Sequence, residues 1–200
     1  RLIYFDDPYE ITVTGPDGTD QGPVDWDMVI PLGSTIKTAA STAELELIPN
    51  GSIVKLSVDT QFIVEGLQTS PREANSFTLL RGKLRTVAAR YAEGGANYSI
   101  LTPSAVCGVR GTDFGLEAVP EVSDSVAVIG GSVEFINLNT GQTIEVDAGE
   151  LADVFAASFE ATPLSDEVFQ DFFSDLGFVA ADPVQVPDRK STRLNSSHYS

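Results

Sequence analysis

The side chains that could do chemistry in this sequence are mainly carboxylates. Its 200 residues include 29 Asp and Glu, one cysteine, Cys107, and one histidine, His198. A serine or cysteine nucleophile therefore lacks the usual histidine base within the body of the chain. One thiol cannot build a zinc cage, and no Gly-rich phosphate loop of the Gly-x-x-x-x-Gly-Lys-Ser/Thr type occurs. We predict that the protein is not an enzyme and has no catalytic, metal-binding or cofactor-binding residue.

Two arrangements of carboxylates are alternatives to this prediction. Asp17-Gly18-Thr19-Asp20 could supply oxygen ligands to Ca²⁺, but the twelve-residue order of an EF-hand and its terminal Glu are missing. A turn held by the Asp side chains is the interpretation we favour. A pair of acids could also hydrolyse glycosides, yet so many carboxylates make some proximity inevitable, and spacing nominates no pair.

The remaining candidate is a cation, Arg110, in the stretch from Thr102 to Leu116. The stretch joins two strand-like runs, 98–101 and 113–118, and Arg110 lies among small and apolar residues. Such an arginine usually lays its stem on apolar surface and directs its planar head to an acceptor. We predict that Arg110 clamps the two strands together, with an anion-binding role as the alternative. Cys107 is predicted to be a small core residue.

Composition excludes several classes of partner. The formal net charge is −17, whereas nucleic acid binding needs clustered Lys and Arg, and anionic membranes repel an acidic surface. No run of 18 apolar residues occurs, so no membrane-inserted segment is predicted. The length suits one domain with tails. The first residues, Leu2-Ile3-Tyr4-Phe5, resemble the middle of a strand, and we expect the chain to be a fragment.

Alternating apolar and polar residues predict short strands that position these side chains. Residues 42–47 and 54–58 both alternate, and Pro49-Asn50-Gly51 between them is a strong hairpin signal. The apolar positions of this hairpin are expected in the core and the polar ones outside. The core set is Ala43, Leu45, Leu47, Val54, Leu56 and Val58, and the outward set is Glu44, Glu46, Lys55 and Ser57.

Glycines recur between further strand-like runs. They lie near the middle of residues 77–87, at Gly82, and of residues 126–136, at Gly130-Gly131. Turns at 137–141 and 148–149 follow, and residues 11–14, 26–30 and 35–38 also have strand character. We predict an all-β fold, an antiparallel β-sandwich or β-roll of many short strand-Gly-strand hairpins. A β-helix-like stack is the alternative.

One C-terminal amphipathic helix is predicted after the strands. Thr162 would be its N-cap, Pro163 its first helical residue, and Gly177 its end. Its apolar face, which we expect to dock on the β core, contains Val168, Phe169, Phe172, Phe173 and Leu176. A role in partner binding is the alternative for this face.

The chain is thus expected to have four parts. They are an all-β domain at 1–156, the helix at 157–179, a linker at 180–187 and a non-native tail at 188–200. The tail is assigned because Asp188 to His198 is similar to the translation of a synthetic adapter used in DNA sequencing libraries.

Three segments carry a resemblance to a known family. "TPSAVCGVRGTDF" at 102–114, "SVAVIGGSVEFIN" at 125–137 and "VDAGE" at 146–150 resemble the FecR domain of bacterial ferric-citrate regulators. The sequence at 29–64 resembles the opening of that domain more weakly, so the resemblance spans about 11–155. Two positions depart from the family pattern, namely Cys107, where a small residue such as Ala is usual, and Gly130, where Glu is frequent.

The resemblance implies an exported, periplasmic or cell-surface module without catalytic activity. In the membrane-anchored regulators of the family, the domain relays the state of a receptor to a sigma factor, and other members are surface proteins. We therefore expect a protein-interaction module in envelope signalling or surface assembly, whose partner, still unknown, binds at strand edges or loops. The alternative is a carbohydrate- or Ca²⁺-binding adhesive module. The structural signature implied by the resemblance is Thr102, Pro103, Val109, Arg110, Gly111, Thr112, Phe114, Gly131 and Gly149.

The clamp hypothesis makes one prediction about Arg110. Arg110→Ala should lower the midpoint of thermal or urea unfolding sharply, because the strand crossing would lose its charged hydrogen bonds. Wild-type stability combined with lost partner binding would show instead that Arg110 is a contact residue.

Overall fold

A computed structural model describes residues 1–49, 51–67, 74–89, 98–109 and 111–183. Residues 68–75 and 92–97 are polar or glycine-rich, which predicts exposed loops; the first loop lies mostly and the second wholly outside these residues. Residues 184–187 of the predicted linker and the whole tail at 188–200 also lie outside them. The strands are β1 (Leu2–Phe5), β2 (Ile11–Thr14), β3 (Thr35–Thr38), β4 (Ala43–Glu46), β5 (Ile53–Leu56), β6 (Gln61–Gly66), β7 (Asn75–Val87), β8 (Tyr98–Leu101), β9 (Ala105–Val109), β10 (Asp113–Val119), β11 (Ser123–Gly130), β12 (Ser132–Asn137), β13 (Thr143–Asp147), β14 (Glu150–Asp153) and β15 (Thr162–Pro163). A 3-10 helix, Pro8–Glu10, and one α-helix, α1 (Asp166–Phe172), complete the described elements.

The strands form one sheet that curls into two facing halves. Half A has the order β1-β4-β5-β7-β10-β11-β14-β15, and half B has the order β2-β3-β6-β7-β8-β9-β12-β13. Every pair of neighbouring strands is antiparallel except β7 and β8, which are parallel. The predicted fold class, mostly β with one C-terminal helix, is confirmed.

Strand β7 belongs to both halves because it bends at Gly82. Its first part, up to Arg81, pairs with β6 in half B, and its second part pairs with β5 and β10 in half A. Gly82 has φ +94°, and a Cβ at this position would lie 2.5 Å from Thr60 Cα. The prediction of two strands within 77–87 was therefore wrong. Glycine here provides a bend and a close approach, not a turn.

Two of the other predicted glycine turns also carry the chain from one half to the other. Gly130-Gly131 connects β11 of half A to β12 of half B, and Gly149 connects β13 of half B to β14 of half A. Neither pair of strands forms a hairpin. In contrast, the turn at 137–141 closes the antiparallel hairpin of β12 and β13.

The hydrophobic core lies between the two halves. Phe62 and Phe77 stack with their ring centroids 5.4 Å apart, and Tyr98 packs on Phe77 at 5.2 Å. Cys107 is fully buried, in the position of a small core side chain. The largest fully buried side chains are Phe62, Phe77, Phe114, Phe135, Leu2, Ile36, Leu45, Leu56, Leu79, Leu84, Ile100 and Leu116.

Residues 26–30 were predicted as a strand and form a turn and an irregular loop instead. The Asp25 carboxylate accepts a hydrogen bond from the Trp26 N–H at 2.8 Å, and Asp27 has φ 59°. Asp residues form such local hydrogen bonds in competition with strand pairing. The Trp26 ring packs on Phe5 at 4.8 Å, so the loop closes one margin of the core.

The predicted start and end of the helix were also wrong. Thr162 and Pro163 pair with β14, and the N-cap is Ser165, whose hydroxyl accepts a hydrogen bond from the Val168 N–H at 3.3 Å. The helix ends at Phe172, five residues before Gly177. In the described part of the chain, no helix is long and apolar enough to span a membrane.

Candidate functional site

The signature stretch forms the crossing from β9 in half B to β10 in half A. Thr112 is buried there, and its hydroxyl donates a hydrogen bond to the Ser132 carbonyl at 2.8 Å. The Thr112 carbonyl accepts from the Ala88 N–H at 2.9 Å, and Phe114 is fully buried. Thr112 thus joins the crossing to the end of β7 and the start of β12. Arg110 lies outside the described residues, so its role as a clamp stays a prediction.

The other signature residues lie at turns and in the core. Val109 is buried, and Pro103 is exposed in the turn between β8 and β9. Gly111 has φ +64°, and a Cβ on Gly131 would lie 3.1 Å from the Gly111 carbonyl oxygen. The Gly149 N–H donates to the Val128 carbonyl at 2.8 Å, which ties the β13–β14 connection to half A. These positions hold backbone crossings.

Thr102 holds a carboxylate that the sequence analysis missed. Its hydroxyl and the Ser104 N–H both donate to Asp124 Oδ2 at 2.6 Å. Asp124 is fully buried, and its Oδ1 has no hydrogen-bond partner in the described structure. Burial raises the pKa of Asp124, the two hydrogen bonds lower the pKa in part, and nearby Asp153 raises it. The Thr-Pro turn therefore rests on a buried acid whose charge is only partly compensated.

The outer face of half A is covered by the chain's own C-terminal segment, residues 164–183, which we call the strap. The strap begins with Leu164, whose N–H donates to the Gly149 carbonyl at 2.8 Å. Phe172 and Leu176 are buried against Ala127 on β11. A Cβ on Gly115 of β10 would lie 2.6 Å from Phe172 Cε1, so the missing side chain makes the hollow that this ring fills. The apolar part of the strap thus docks on the sheet.

The middle of the strap contacts cations on β7. Lys83 Nζ donates to the Phe172 carbonyl at 3.1 Å and lies 3.7 Å from Asp175 Oδ1. Arg85 makes two hydrogen bonds with Asp113, at 2.9 and 2.8 Å, and its guanidinium lies 4.9 Å from the Phe178 ring centroid. These basic side chains contact both the sheet and the strap.

The end of the strap binds one buried carboxylate, Glu44 on β4. Three successive backbone N–H groups, those of Val179, Ala180 and Ala181, donate to its two oxygens, the latter two at 2.9 Å. Lys55 Nζ lies 3.3 Å from the same carboxylate, and both side chains are almost completely buried. Successive N–H groups that converge on an anion form a nest, here occupied by a side chain of the same molecule.

Glu44, Lys55 and Ser57 point away from the core, as predicted, but the prediction that they lie on the outside of the protein was wrong. All three residues are buried, and Ser57 donates to the Asp175 carboxylate. Their alternation along β4 and β5 is as predicted, but the strap covers the face on which they lie. Val58, which was predicted to lie in the core, is 40% exposed next to Asp59 with φ 52°.

The carboxylates considered for Ca²⁺ binding are engaged in local turns. Asp17 Oδ1 accepts hydrogen bonds from the Thr19 N–H at 3.0 Å and the Thr19 hydroxyl at 2.6 Å, and these bonds lower the pKa of Asp17. Asp20 accepts from the Gly22 N–H at 2.9 Å. Within the described ranges, no group of three or more His, Cys, Asp or Glu is arranged to hold a metal ion.

In the described part of the chain the sheet has four edge strands, and three of these edges are blunted. The Leu2 N–H of β1 is bonded to the Met28 carbonyl, and the Val13 carbonyl of β2 accepts from the Gln21 N–H, both at 2.9 Å. Strand β15 has only two residues and includes Pro163. Strand β13 has five residues and no proline, and its outward side chains, such as Glu145, are exposed. An edge of this kind can pair with another chain.

Comparisons with known proteins agree with the fold. A family model described as FecR protein matches residues 34–134. This match confirms the predicted resemblance and includes the crossing. A search of the curated proteins found no match.

Two solved structures, both of candidate anti-sigma factors from Parabacteroides distasonis ATCC 8503, resemble the chain. The first has a TM-score of 0.54 and 19% identity, and covers 64% of this chain and 59% of its own. The second has a TM-score of 0.48 and 18% identity, and covers 61% and 60%. The chain therefore spans about 60% of the length of these structures.

The nest predicts that Glu44→Gln destabilises the protein by about 3–5 kcal/mol, because Lys55 is left as a buried charge without its partner. Urea unfolding measures this change, and amide hydrogen exchange should show earlier opening at Val179 to Ala181. Glu46→Gln on the same strand is the matched control, since Glu46 pairs with Arg1 at the surface. Equal effects of the two substitutions would contradict the role assigned to the nest.

Asp124 predicts a pH dependence of stability. Because its pKa in the folded chain is raised above the unfolded value of about 3.9, the folded state binds more protons in the window between the two values. The contribution of Asp124 to stability should therefore grow as the pH falls through that window and be lost as the pH rises. Urea unfolding, measured from neutral pH to about pH 4, should show that the free energy of unfolding of the wild type rises relative to that of Asp124→Asn as the pH falls. The control, Glu160→Gln at an exposed site, should keep a constant difference from the wild type.

Proposed function

This chain belongs to the FecR family, and on that basis we propose that it is a non-enzymatic, extracytoplasmic protein-interaction module in envelope signalling or surface assembly. The family match supports the proposal across both halves of the sheet, because residues 34–134 include β3 to β11 and the first half of β12. A structure of similar fold is described as a candidate anti-sigma factor, and a regulatory role for this chain agrees with that description.

The single observation that carries the interaction role is the open edge of β13. Loops blunt the edges of β1 and β2, and Pro163 blunts β15. The outer face of half A is filled by the strap, with Phe172 and Leu176 buried against it. The β13 edge thus remains as a place where backbone groups of a partner can bind without unfolding any part of the domain.

Two buried acids bind structural partners, and this arrangement supports a role without catalysis. Glu44 is neutralised by Lys55 and three amides, and Asp124 accepts hydrogen bonds from Thr102 and Ser104. Both Glu44 oxygens and one Asp124 oxygen are thus engaged with structural partners. A glycosidase would need a pair of acids flanking the scissile bond within a cleft.

The alternative, a carbohydrate-binding adhesive module, has one supporting observation. A groove of about 340 Å³ on half B is lined by ten residues that include Tyr9, Lys37, Gln61 and Arg81. The Tyr9 ring is 89% exposed, and an exposed aromatic ring beside polar side chains can bind a sugar. Arg81 in this groove is already paired with Asp59 at 3.1 Å.

Site-specific photo-crosslinking separates these functions. A benzophenone amino acid is placed at Thr143 on β13, at Tyr9 in the groove, or at the exposed Gln170 on α1 as a control, in the full-length protein in its native cell. We expect one discrete adduct with an envelope protein from Thr143 and none from Gln170. A polydisperse polysaccharide adduct from Tyr9 alone would favour the adhesive module. Equal adducts from Thr143 and Gln170, or none from Thr143, would contradict the proposal.

A further inference from the structure

The hydrogen-bond register of β12 and β13 shows which backbone groups of β13 point outward. The Asn137 N–H donates to the Gln142 carbonyl at 2.9 Å, and the Ala148 N–H donates to the Gly131 carbonyl at 3.1 Å. In an antiparallel pair, alternate residues point toward the partner strand, so 142, 144, 146 and 148 point to β12 and 143, 145 and 147 point away. The Asp147 N–H is bonded to the Glu150 carboxylate at 2.9 Å. Among the described residues, none bonds the outward N–H of Thr143 or Glu145.

The side chains next to this edge are acidic and uncompensated. Glu145 lies directly across from Glu134 of β12, and both side chains are exposed on the outer face of half B. Like charges directly opposite one another destabilise a sheet. No cation of the described chain forms an ion pair with either carboxylate, and the next residue in the row is Gly108. A positive side chain on an added strand would therefore be attracted to this position.

The same face also has an apolar row that ends at β13. Leu101, Val106 and Ile136 lie side by side on β8, β9 and β12, and the row ends at Thr143. Leu101 is 41% exposed, and the other two apolar side chains are half-buried. An aliphatic residue of an added strand opposite Thr143 would extend this row and remove apolar surface from water.

We propose that β13 is completed by an extended segment of another protein, with Lys or Arg opposite Glu145 and an aliphatic residue opposite Thr143. A second copy of this chain is a poorer occupant, because its own β13 would bring Glu145 and Asp147 to an edge that is already acidic, in a chain with a net charge of −17. The inference rests on the proposed function and names the surface and the chemistry of its partner.

Peptide probes test this inference directly. The probe is a peptide of about ten residues, longer than a typical strand. Threonine occupies every second position, and valine and lysine alternate at the positions between, so that a valine and a lysine two residues apart can lie opposite Thr143 and Glu145. Its counterpart has glutamate in place of lysine. We expect the lysine peptide to bind the full chain, to protect the Thr143 and Glu145 amides from hydrogen exchange, and to bind more tightly than the glutamate peptide. Protection confined to other strands, or equal binding of both peptides, would overturn the inference.

Thr143→Pro is the decisive variant. The Thr143 N–H of the wild type points away from β12, so proline removes no hydrogen bond between β12 and β13. The variant should therefore keep an unfolding midpoint near that of the wild type. The lysine peptide should bind this variant at least about tenfold more weakly, because the edge loses a donor and the ring obstructs the added strand. Unchanged affinity would overturn the inference. If the variant is unstable, hydrogen exchange of the wild type with the lysine peptide decides the question, since unprotected Thr143 and Glu145 amides in the bound state would overturn the inference.

The charge of Glu145 is tested separately with a matched control. Glu145→Gln should weaken the lysine peptide about threefold, the effect expected of one exposed ion pair. Glu167→Gln on the exposed surface of α1 makes the same change in net charge and should leave the affinity unchanged. Equal weakening by both variants would show that only the net charge of the protein attracts the peptide, and this result would overturn the assigned register.

The two proposals can fail separately. If the envelope partner captured by crosslinking still binds the Thr143→Pro protein, the edge inference fails and the proposed function stands. If the peptides bind the edge as expected but no envelope partner is captured from it in the cell, the edge stands and the proposed function fails.

Discussion

The architecture depends on the bend of β7 at Gly82. Since one strand pairs in both halves, the curvature that brings the halves together is set within a single covalent segment. Any side chain at Gly82 would collide with the backbone of Thr60, so the bend and the connection from β5 to β6 are packed against each other. The core aromatics Phe62 and Phe77 stack on the inner side of half B next to this bend. Other crossings, such as Gly130-Gly131, then carry the chain between halves whose relative position is already determined.

The strap gives the two outer faces different properties. On half A, a hollow at Gly115 accepts an aromatic ring, and the Glu44 carboxylate accepts the end of the segment. The outer face of half A is therefore covered by the chain's own strap. On half B, the row from Leu101 to Thr143 is partly exposed, and the neighbouring edge carries acidic side chains and backbone N–H groups that no described residue bonds. A domain with one face closed and one edge open is suited to orient a partner on a single side.

The fold class could be predicted because alternation and turn residues act locally. The hairpin of 43–56 and the turn at 137–141 follow from such signals. The environment of Glu44 and Lys55 could not be predicted, because the strap that buries them lies more than 120 residues away in sequence. Gly82 was misread because glycine marks a bend and a turn equally well. Thr162-Pro163 was mistaken for a helix start because Ser165, three residues later, satisfies the same capping rule. Asp124 had no local signal, since only the tertiary fold brings it to Thr102.

The Glu44 nest also has a mechanical meaning. Its three donors follow one another along the backbone, so a pull on the chain beyond Pro183 would load Ala181 first, then Ala180, then Val179. Bonds that break in succession yield at a lower force than bonds sheared together. The aromatic rings upstream in the strap would hold after the nest has peeled away. Tension on the C-terminal end of the strap would thus uncover the buried Lys55 before it disturbs the sheet.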